Sequence, residues 1–490
     1  MLEQPSYFSE IRNLKPAITA LLVSLALGAC ATMGPFADQN AMLAIPVTWT
    51  EKIDLPVAEP SARQLSQWWR RFRDPLLSGL IEQALFTNTD VLNAQAVLRQ
   101  ARAQRNVTAA GLQPTLDLAG SGQRSRPAGG SASNQFRTGL DAGWEIDIFG
   151  QIRYGVTAAE QDVLASTASL GDVQVSVAAE VALAYIDLRG NQLRLEIARQ
   201  NLANQEETLQ LTRWREQAGL VTMLDVEQAR TSVEQTRARL PQLEAAIINA
   251  MNSLAILTGQ PPGTLHNQLQ HEGAPDIPAP DGTLAMSLPA ETLRQRADVR
   301  TAEHRVNAAV ARLAQAEADR YPSFRLTGSL GLTALTIGSL GSSGTVTSSL
   351  LGSIGIPLFD GGARRAQVEV QDALLEQARV GYVSTMLNAL SDVETALTGL
   401  RTTSDYLSSL QAAVDAANNA AILAEHNYAS GLVDFQVVLD TQKTRLSVED
   451  SAASASAEQA ANYVRLYKAL GGGWQPERIH TDSQSLGNIE

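Results

Sequence analysis

The amino-acid sequence predicts a membrane protein of the α+β class, built from two similar halves that each combine a β-hairpin with long helices. Three observations lead to this prediction: an internal duplication, two pairs of alternating strands and two helical stretches of unusual length. Residues 89–121 align with residues 297–329 without a gap, so that Asp90 matches Asp298. Further similar segments follow each copy in the same order. A duplication of this size indicates one architecture made of two structurally equivalent halves.

The composition excludes several classes of protein. With 44% hydrophobic and 18% charged residues, the chain is neither disordered nor a helical membrane protein. No uninterrupted apolar run reaches the ~18 residues of a spanning helix. The net charge of −13 argues against a nucleic-acid partner, which would favour a basic face. The single cysteine, Cys30, excludes an intrachain disulfide and a cysteine cluster.

The N-terminus has the layout of a lipoprotein signal peptide. Arg12 and Lys15 precede an apolar run at residues 17–29, which is too short to span a membrane as a helix. The tetrapeptide LGAC resembles a lipobox, the site at which bacterial signal peptidase II cuts before a lipid-modified cysteine. We therefore expect a covalent acyl and diacylglyceryl lipid on Cys30; the alternative is an ordinary signal peptide with an incidental cysteine. Ala31, in place of the Asp that commonly retains lipoproteins in the inner membrane, favours the outer membrane.

Five segments follow from this layout and from the duplication. Each repeat is expected to contain short helices, one β-hairpin and one long helix hairpin, and the proline-rich segment before them is expected to be extended. The segments are residues 1–29 (signal peptide), 30–65 (lipid-anchored strap), 66–280 (first repeat), 281–474 (second repeat) and 475–490 (C-terminal tail).

Two short helices open the first repeat. The pair Asp74-Pro75 is expected to open a helix over residues 76–87. A second helix is predicted over residues 90–111, where Pro114 closes it off.

The hydrophobic period then changes from that of a helix to that of a strand. In residues 139–149 apolar side chains alternate with polar ones, which predicts a strand with one apolar and one polar face. A partner strand at residues 115–121 completes a hairpin over about residues 113–149, with a Gly/Ser-rich loop over residues 120–134. The polar face would meet solvent in a soluble sandwich, or the lumen in a lipid-embedded barrel.

The second hairpin, at about residues 322–359, repeats this alternation and has its own Gly/Ser-rich loop. Each strand has about the 9–11 residues that a tilted membrane strand needs. We assign four charged residues to the lumen side of the strands, with a solvent-facing strand surface as the alternative: Asp141, Glu145, Asp147 and Arg325.

Two very long helices follow the hairpins. Residues 152–217 contain no proline and would form a helix of roughly 95–100 Å, and residues 363–430 are their counterpart. A glycine ends each run and a return helix follows, giving helix hairpins over about residues 152–258 and 363–471. Pro241 in the first return helix is expected to kink or break it.

Four strands do not close a membrane barrel. Bacterial outer-membrane barrels have at least eight strands, and open strand edges are not tolerated in lipid. The hairpins must therefore pair with those of other copies of the chain. Three chains would supply twelve strands and two chains would supply eight.

Several motifs resemble the outer membrane factor family, the TolC-like channels, in the branch of NodT-type efflux outer-membrane lipoproteins. Together they cover essentially the whole mature chain, although Ala297 stands where relatives often carry proline. The motifs are Trp68-Trp69 with Asp74-Pro75, LPAETLRQRADVRTAE (residues 288–303), YPSFRLTGSLG (321–331), PLFDGG (357–362) and LYKALGGGW (466–474).

The resemblance implies a homotrimer. Its twelve strands would form an outer-membrane β-barrel, four strands per chain, continued by a periplasmic α-helical barrel of roughly 100 Å. The implied function is that of a passive exit duct from the periplasm to the exterior in a tripartite efflux system. Such a duct docks to a periplasmic adaptor protein and an inner-membrane efflux transporter.

The resemblance also implies two functional regions at the periplasmic end. The turns between the long helices and their return helices would form the tip that meets the adaptor; the alternative is that they only terminate helices. The tip residues are Gly219, Leu220, Val221, Gly431, Leu432 and Val433.

A gate at the same end is implied by Asp225, Asp440 and Tyr428. Three copies of Asp440 around an axis would concentrate negative charge in a narrow pore. Tyr428 is expected to hydrogen-bond Asp225 across helices. Val437 and Val433 stand where the family often carries a second carboxylate and a basic latch. Solvated charges on helix faces are the alternative for both aspartates.

No enzymatic motif is found. The five histidines are scattered, and HExxH, GxSxG, GxGxxG and GxxxxGK are absent from the sequence, so no catalytic residue, metal or cofactor is expected apart from the lipid. Two other functions were weighed, a periplasmic adaptor lipoprotein and a structural coiled-coil lipoprotein. An adaptor has one helical hairpin flanked by soluble β-domains, and the paired strand hairpins argue against both alternatives.

Overall fold

The computed structural model describes residues 48–50, 57–58, 65–270, 273, 275–280, 284–285 and 289–475, all within the compact unit Pro46–Glu490. The expectations for the signal peptide, for Cys30, for most of the strap and for the tail beyond residue 475 lie outside the described residues. The elements are β1 (Val57–Ala58), a 3-10 helix (Trp68–Phe72), α1 (Pro75–Thr87), α2 (Thr89–Ala110), β2 (Thr115–Ser125), β3 (Ser133–Ile146), α3 (Gln151–Gln217), α4 (Met223–Leu257), α5 (His266–Leu269), β4 (Leu284–Ala285), α6 (Pro289–Gln295), α7 (Ala297–Ala318), β5 (Ser323–Ala334), a 3-10 helix (Ile337–Ser339), β6 (Val346–Gly355), α8 (Ala363–Ala429) and α9 (Phe435–Ala469).

The long helices form adjoining columns. Helices α3 and α8 have 67 residues each, about 100 Å at 1.5 Å per residue, as the sequence predicted. Helices α2 and α4 both pack along α3, and α7 and α9 both pack along α8 and also contact α3. Each short barrel-side helix therefore continues the column of a return helix. Of the two outcomes expected at Pro241, a kink or a break, the break does not occur, because α4 continues through this residue.

Each column has a junction where the return helix ends against the start of the barrel-side helix. In the first repeat Asn88 caps α2 by accepting from the amide of Asp90 at 2.8 Å, and its Nδ2 donates to the carbonyl of Leu257 at 2.9 Å. In the second repeat the guanidinium of Arg296 donates to the carbonyl of Ala469 at 2.8 Å. Both junctions thus satisfy a carbonyl left free at the end of a helix.

The Arg296 junction is also an ion-pair cluster. Its guanidinium lies 2.7 Å from an oxygen of Asp298 and 3.0 Å from an oxygen of Asp392, and only 10% of the Arg296 side chain is exposed. A cavity of about 750 Å³ lies beside it, lined in part by Asp172 and Lys468. Burial raises the pKa of Asp172, and the charge of Asp298 raises it further.

A core at mid-length of the helices fixes the short N-terminal elements. The ring of Trp68 is fully buried and stacks on Tyr467 at 5.4 Å between centroids. The helix α1 starts where the sequence predicted, and Asp74 caps it by accepting from the amide of Leu76 at 2.9 Å; Asp74 also accepts from the hydroxyl of Tyr185 at 2.7 Å. The predicted helix start is therefore also a tie between α1 and α3.

The four longer strands form one antiparallel sheet in the order β2-β3-β5-β6. The two hairpins thus pair with each other through β3 and β5, where Gly139 faces Gly331 so closely that a Cβ on Gly139 would lie 2.6 Å from the Cα of Gly331. Within the described chain, the outer edges of β2 and β6 have no partner strand. These open edges require pairing with other copies, as expected in lipid.

The strands of the first hairpin are longer than the sequence predicted. Strand β2 extends to Ser125 and β3 begins at Ser133, so the expected loop over residues 120–134 shrinks to residues 126–132. Cross-strand hydrogen bonds supply the stability that Gly and Ser lack intrinsically. At the other end β3 stops at Ile146, three residues before the predicted end.

One described helix, α3, is long and apolar enough to cross a membrane by length and composition alone. Its best window has a mean hydropathy of 1.2, and half of that window is buried inside the chain. The contacts of α3 with five other helices (α1, α2, α4, α7 and α9) explain this burial as that of a bundle helix.

Candidate functional site: the helical tip and the barrel face

Both long helices end in the same turn. Gly219 has a φ of 73°, and the amide of Leu220 donates to the carbonyl of Arg215 at 2.9 Å. Gly431 has a φ of 76°, and the amide of Leu432 donates to the carbonyl of Asn427 at 2.9 Å. This is the Schellman arrangement, whose positive φ favours glycine.

The turns carry exposed apolar side chains. Leu220 is 72% exposed and Leu432 is 75% exposed, while Val221 and Val433 are half-buried. An exposed leucine at each tip is not needed to end a helix, since the backbone hydrogen bonds already do so. The two leucines therefore form an exposed apolar pair that the turns themselves do not require.

A small apolar core holds the tip together. It joins α3, α4, α8 and α9, so both repeats contribute to it. Its buried members are Leu209, Val226, Ala229, Val233, Ala424, Phe435, Val438 and Leu439, with Leu202 and Tyr428 packed against them.

Tyr428 lies between two neighbours in this core. The guanidinium of Arg215 sits over its ring at 4.4 Å from the centroid, and the ring of Phe435 lies at 5.3 Å. The expected hydrogen bond to Asp225 is absent: the hydroxyl of Tyr428 is buried and has no partner in the described part of the chain. That expectation was wrong, because Asp225 is engaged within its own helix.

Asp225 forms a capping box with Thr222 at the start of α4. Its carboxylate accepts from the amide of Thr222 at 2.8 Å and from its hydroxyl at 2.8 Å. The amide of Asp225 donates in turn to the Thr222 hydroxyl at 3.4 Å. Two free donors of the helix N-terminus are thereby satisfied.

Asp440 is placed differently. It lies on the exposed side of α9, and within the described residues its carboxylate accepts one hydrogen bond, from Nε2 of Gln436 one turn earlier, at 2.9 Å. Neither Asp225 nor Tyr428 contacts it by hydrogen bond or ion pair in the described residues. The carboxylate of Asp440 is therefore free to face a pore or a neighbouring chain.

The sheet has one polar and one apolar face, as the sequence predicted. Glu145 lies directly opposite Arg325, and Asp141 lies opposite Ser329. Asp141 also pairs with Arg137 on the same face at 2.5 Å. The other face presents exposed Leu116, Leu118, Leu140, Trp144, Leu330, Leu350 and Ile354, which suits contact with lipid.

Asp147 does not belong to the polar barrel face, contrary to the sequence prediction. It lies beyond the end of β3, and its side chain is only 8% exposed. Its carboxylate accepts from the amide of Arg153 at 2.8 Å and from that of Ile152 at 3.2 Å. The free amides at the start of α3 thus attract this carboxylate.

The sequence reasoning missed two residues of these regions. Asp117 shares the polar face, directly opposite Asp141, and its place in the alternation was a sufficient signal. Arg215 was visible only as a basic residue in the last turn of α3. Its contact with Tyr428 joins the two repeats, which local sequence patterns do not encode.

In the described residues no group of three or more His, Cys, Asp or Glu side chains is arranged to hold a metal ion. A sheet with a lipid-type face, open edges and long helical extensions defines the class of multi-chain outer-membrane channels.

The chain belongs to the outer membrane efflux protein family, whose model matches residues 80–260 and 288–472. The two matches fall on the two repeats. The chain is similar to the outer membrane protein OprJ of Pseudomonas aeruginosa, with 31% identity over 96% of this chain and 100% of that protein.

Solved structures show the same likeness. The outer-membrane channel OprN matches with a TM-score of 0.81 and 36% identity, covering 89% of this chain and 99% of that chain. The open state of the MtrE outer membrane channel of Neisseria gonorrhoeae matches with a TM-score of 0.77 and 29% identity, covering 90% of this chain and 98% of that chain.

These likenesses confirm the predicted fold class. The chain is an internally duplicated membrane α+β protein that supplies its four strands to a trimeric, twelve-stranded outer-membrane β-barrel, which a long periplasmic α-helical barrel continues. It functions as an efflux channel of the bacterial outer membrane and extends into the periplasm. The relatives named here are channel proteins and not enzymes.

Proposed function

We propose that three copies of this chain form the passive exit duct of a tripartite efflux system. The duct docks through its helical tips to a periplasmic adaptor protein, which couples it to an inner-membrane efflux transporter. The observation that carries this proposal is the exposed pair Leu220 and Leu432 on two equivalent turns. A trimer repeats this pair three times, which offers an adaptor a ring of apolar contacts.

The tip also contains the proposed gate. In a trimer, three copies of Asp440 would surround the axis, and their exposed carboxylates would attract cations into a narrow entrance. Asp225 belongs to the same rim, but its hydrogen bonds to Thr222 tie it to its own helix. Asp440 is therefore the main source of gate charge, and Tyr428 contributes packing.

At the outer-membrane end of the duct, the polar face of the sheet would line the lumen and a lipid would anchor the chain. We assign Asp141, Glu145 and Arg325 to the lumen, because they share the polar face of the sheet. We further propose that Cys30 carries the lipid that anchors the mature chain to the outer membrane, supported by the lipobox at residues 27–30. Each buried lipid methylene would add about 0.8 kcal/mol to anchoring.

The docking role is tested by a double substitution, Leu220→Asp with Leu432→Asp. We expect the trimer to assemble and to conduct ions in planar bilayers, because neither side chain is part of the core. Drug export by cells in which this chain is the outer-membrane component should fall to the level of cells that lack it. Site-specific cross-linking to the adaptor should be lost in parallel.

Ser430→Asp is the matched control, because it adds a charge at an exposed position of the same turn without removing an apolar side chain. It should export normally. Full export by the double variant, at wild-type trimer levels, would contradict docking through these leucines.

A further inference from the structure

We propose that Arg215 is a positioning residue that fastens the tips of the two repeats together, through the stacking of its guanidinium on the ring of Tyr428. The inference rests on the proposed function, since it concerns how the periplasmic end of the duct stays narrow. It assigns that task to an aromatic ring and a cation, and not to a hydrogen bond between Tyr428 and Asp225.

The contact bridges the repeats. Arg215 lies in the last turn of α3 and Tyr428 in the last turn of α8, and the guanidinium carbon lies 4.4 Å from the centre of the ring. Phe435, the first residue of α9, packs on the same ring at 5.3 Å. Arg215 of the first repeat therefore contacts the ring at which the two helices of the second repeat meet at the tip.

The cation is available for this ring. In the described part of the chain, Arg215 makes no ion pair and donates no hydrogen bond, whereas Arg237 higher on the same helix hairpin pairs with Glu206 at 2.6 Å and Glu234 at 2.5 Å. A guanidinium without a carboxylate partner, placed over an aromatic face, is the arrangement in which cation–π attraction operates. Half-burial of both side chains reduces the screening by water.

The ring, and not the hydroxyl, makes the contact. The hydroxyl oxygen of Tyr428 is buried without a hydrogen-bond partner in the described residues. Asp225, the expected acceptor, is held by Thr222. Val433, in the neighbouring turn, has no polar side-chain atom to replace this partner.

Any movement of α8 and α9 away from α3 and α4 at the tip would break this contact, because Arg215 lies on α3 and Tyr428 lies on α8. We infer that widening of the mouth takes place along this seam. The contacts of the apolar core at the tip are non-directional, so by themselves they do not impose one position of the second repeat against the first. The stacked pair is directional, so it defines one position of the second repeat against the first.

The test compares five substitutions in the full-length, lipidated trimer in planar bilayers. Arg215→Ala and Tyr428→Leu each remove the stacking, and each should raise the open-to-closed ratio roughly 2- to 30-fold per chain. Tyr428→Phe retains the ring and should stay close to wild type. Arg215→Lys retains a cation without the flat guanidinium and should be intermediate. Arg213→Ala, which removes an exposed arginine of the same turn, is the matched control and should change nothing.

Two further measurements show whether a substitution damages the fold or only removes the contact between Arg215 and Tyr428. Trimer stability in detergent should be the same for all five variants. The double variant of Arg215→Ala and Tyr428→Leu should open no further than either single variant, because both remove one contact. If Arg215→Ala does not assemble, Arg215→Met keeps the length of the side chain and removes the charge.

The outcomes separate this inference from the proposed function. Tyr428→Phe opening as far as Tyr428→Leu would overturn it, since the hydroxyl would then be the fastening group. An open-to-closed ratio of Arg215→Ala equal to that of the wild type would also overturn the inference. The proposed function would still hold in that case, because the trimer would conduct ions. Inserted trimers that conduct in no variant, even with the adaptor added, would overturn the duct as well.

Discussion

The two repeats join a return helix to a barrel-side helix at equivalent positions, but the side chains that make the joint are unlike. In the first repeat a neutral amide, Asn88, caps α2 and reaches the carbonyl of Leu257. In the second, Arg296 reaches the carbonyl of Ala469 and is held by two carboxylates. A free carbonyl at a helix end is thus satisfied by a neutral amide donor in one repeat and by a charged guanidinium donor in the other.

The tips differ in the same way. Asp225 of the first tip closes a capping box and serves its own helix. In the second tip the N-cap residue Asp434 makes no side-chain cap bond, and Asp440 stands exposed beyond it. The duplication therefore conserves turns and helix lengths, while charge is structural in one repeat and available for function in the other.

The largest effect on stability is expected from Arg296→Ala. The change removes hydrogen bonds to Asp298, Asp392 and Ala469 from a buried position, and we expect the free energy of unfolding to fall by about 2–3 kcal/mol. Arg296→Lys should recover only part of this, because one ammonium does not reproduce the forked geometry. The stability of both variants is measured by thermal melting in detergent, followed by the helical circular dichroism signal. An unchanged melting temperature for Arg296→Ala would show that the bonds of Arg296 to the two carboxylates do not stabilise the fold.

A smaller effect is expected from the neutral joint. Asn88→Ala removes the cap of α2 and the tie to Leu257, and should cost about 1–2 kcal/mol. Asn88→Asp is the informative control, because it keeps the capping oxygen but replaces the donor to the Leu257 carbonyl with a negative charge. It should melt between wild type and Asn88→Ala. Equal stability of Asn88→Asp and wild type would show that the cap, and not the tie between helices, stabilises this joint.

Much of this architecture is predictable from the sequence, because periodicity and chain breaks are local. The long helices, the helix start at Asp74-Pro75, the glycine turns and the polar alternation around Asp141 and Glu145 were all predicted correctly. Errors arose where non-local pairing overrides local preference. Cross-strand hydrogen bonds extended the first hairpin into its Gly/Ser segment, and α4 continued through Pro241 because its flanks pack on α3.

The site was less predictable than the fold for the same reason. Asp147 continued the alternation of β3, yet the free amides of α3 capture it. The sequence also paired Tyr428 with Asp225, although each has a nearer partner. The partner of Tyr428 is Arg215 of the other repeat. The two residues are too far apart along the chain for a local sequence pattern to predict their contact.

The smallest stability effects are expected at the two tip aspartates, Asp225 and Asp440. Their substitutions test directly whether the charge is structural in the first repeat and functional in the second. Asp225→Ala breaks the capping box and should cost about 0.5–1 kcal/mol, with little change in ion selectivity. Asp440→Ala should leave the melting temperature unchanged, because among the described residues its carboxylate accepts only from Gln436. It should instead raise conductance and weaken the block by Mg²⁺ added on the tip side of a planar bilayer, since three charges leave the entrance together. The reverse pattern, with Mg²⁺ block lost in Asp225→Ala and retained in Asp440→Ala, would assign the gate charge to the first repeat.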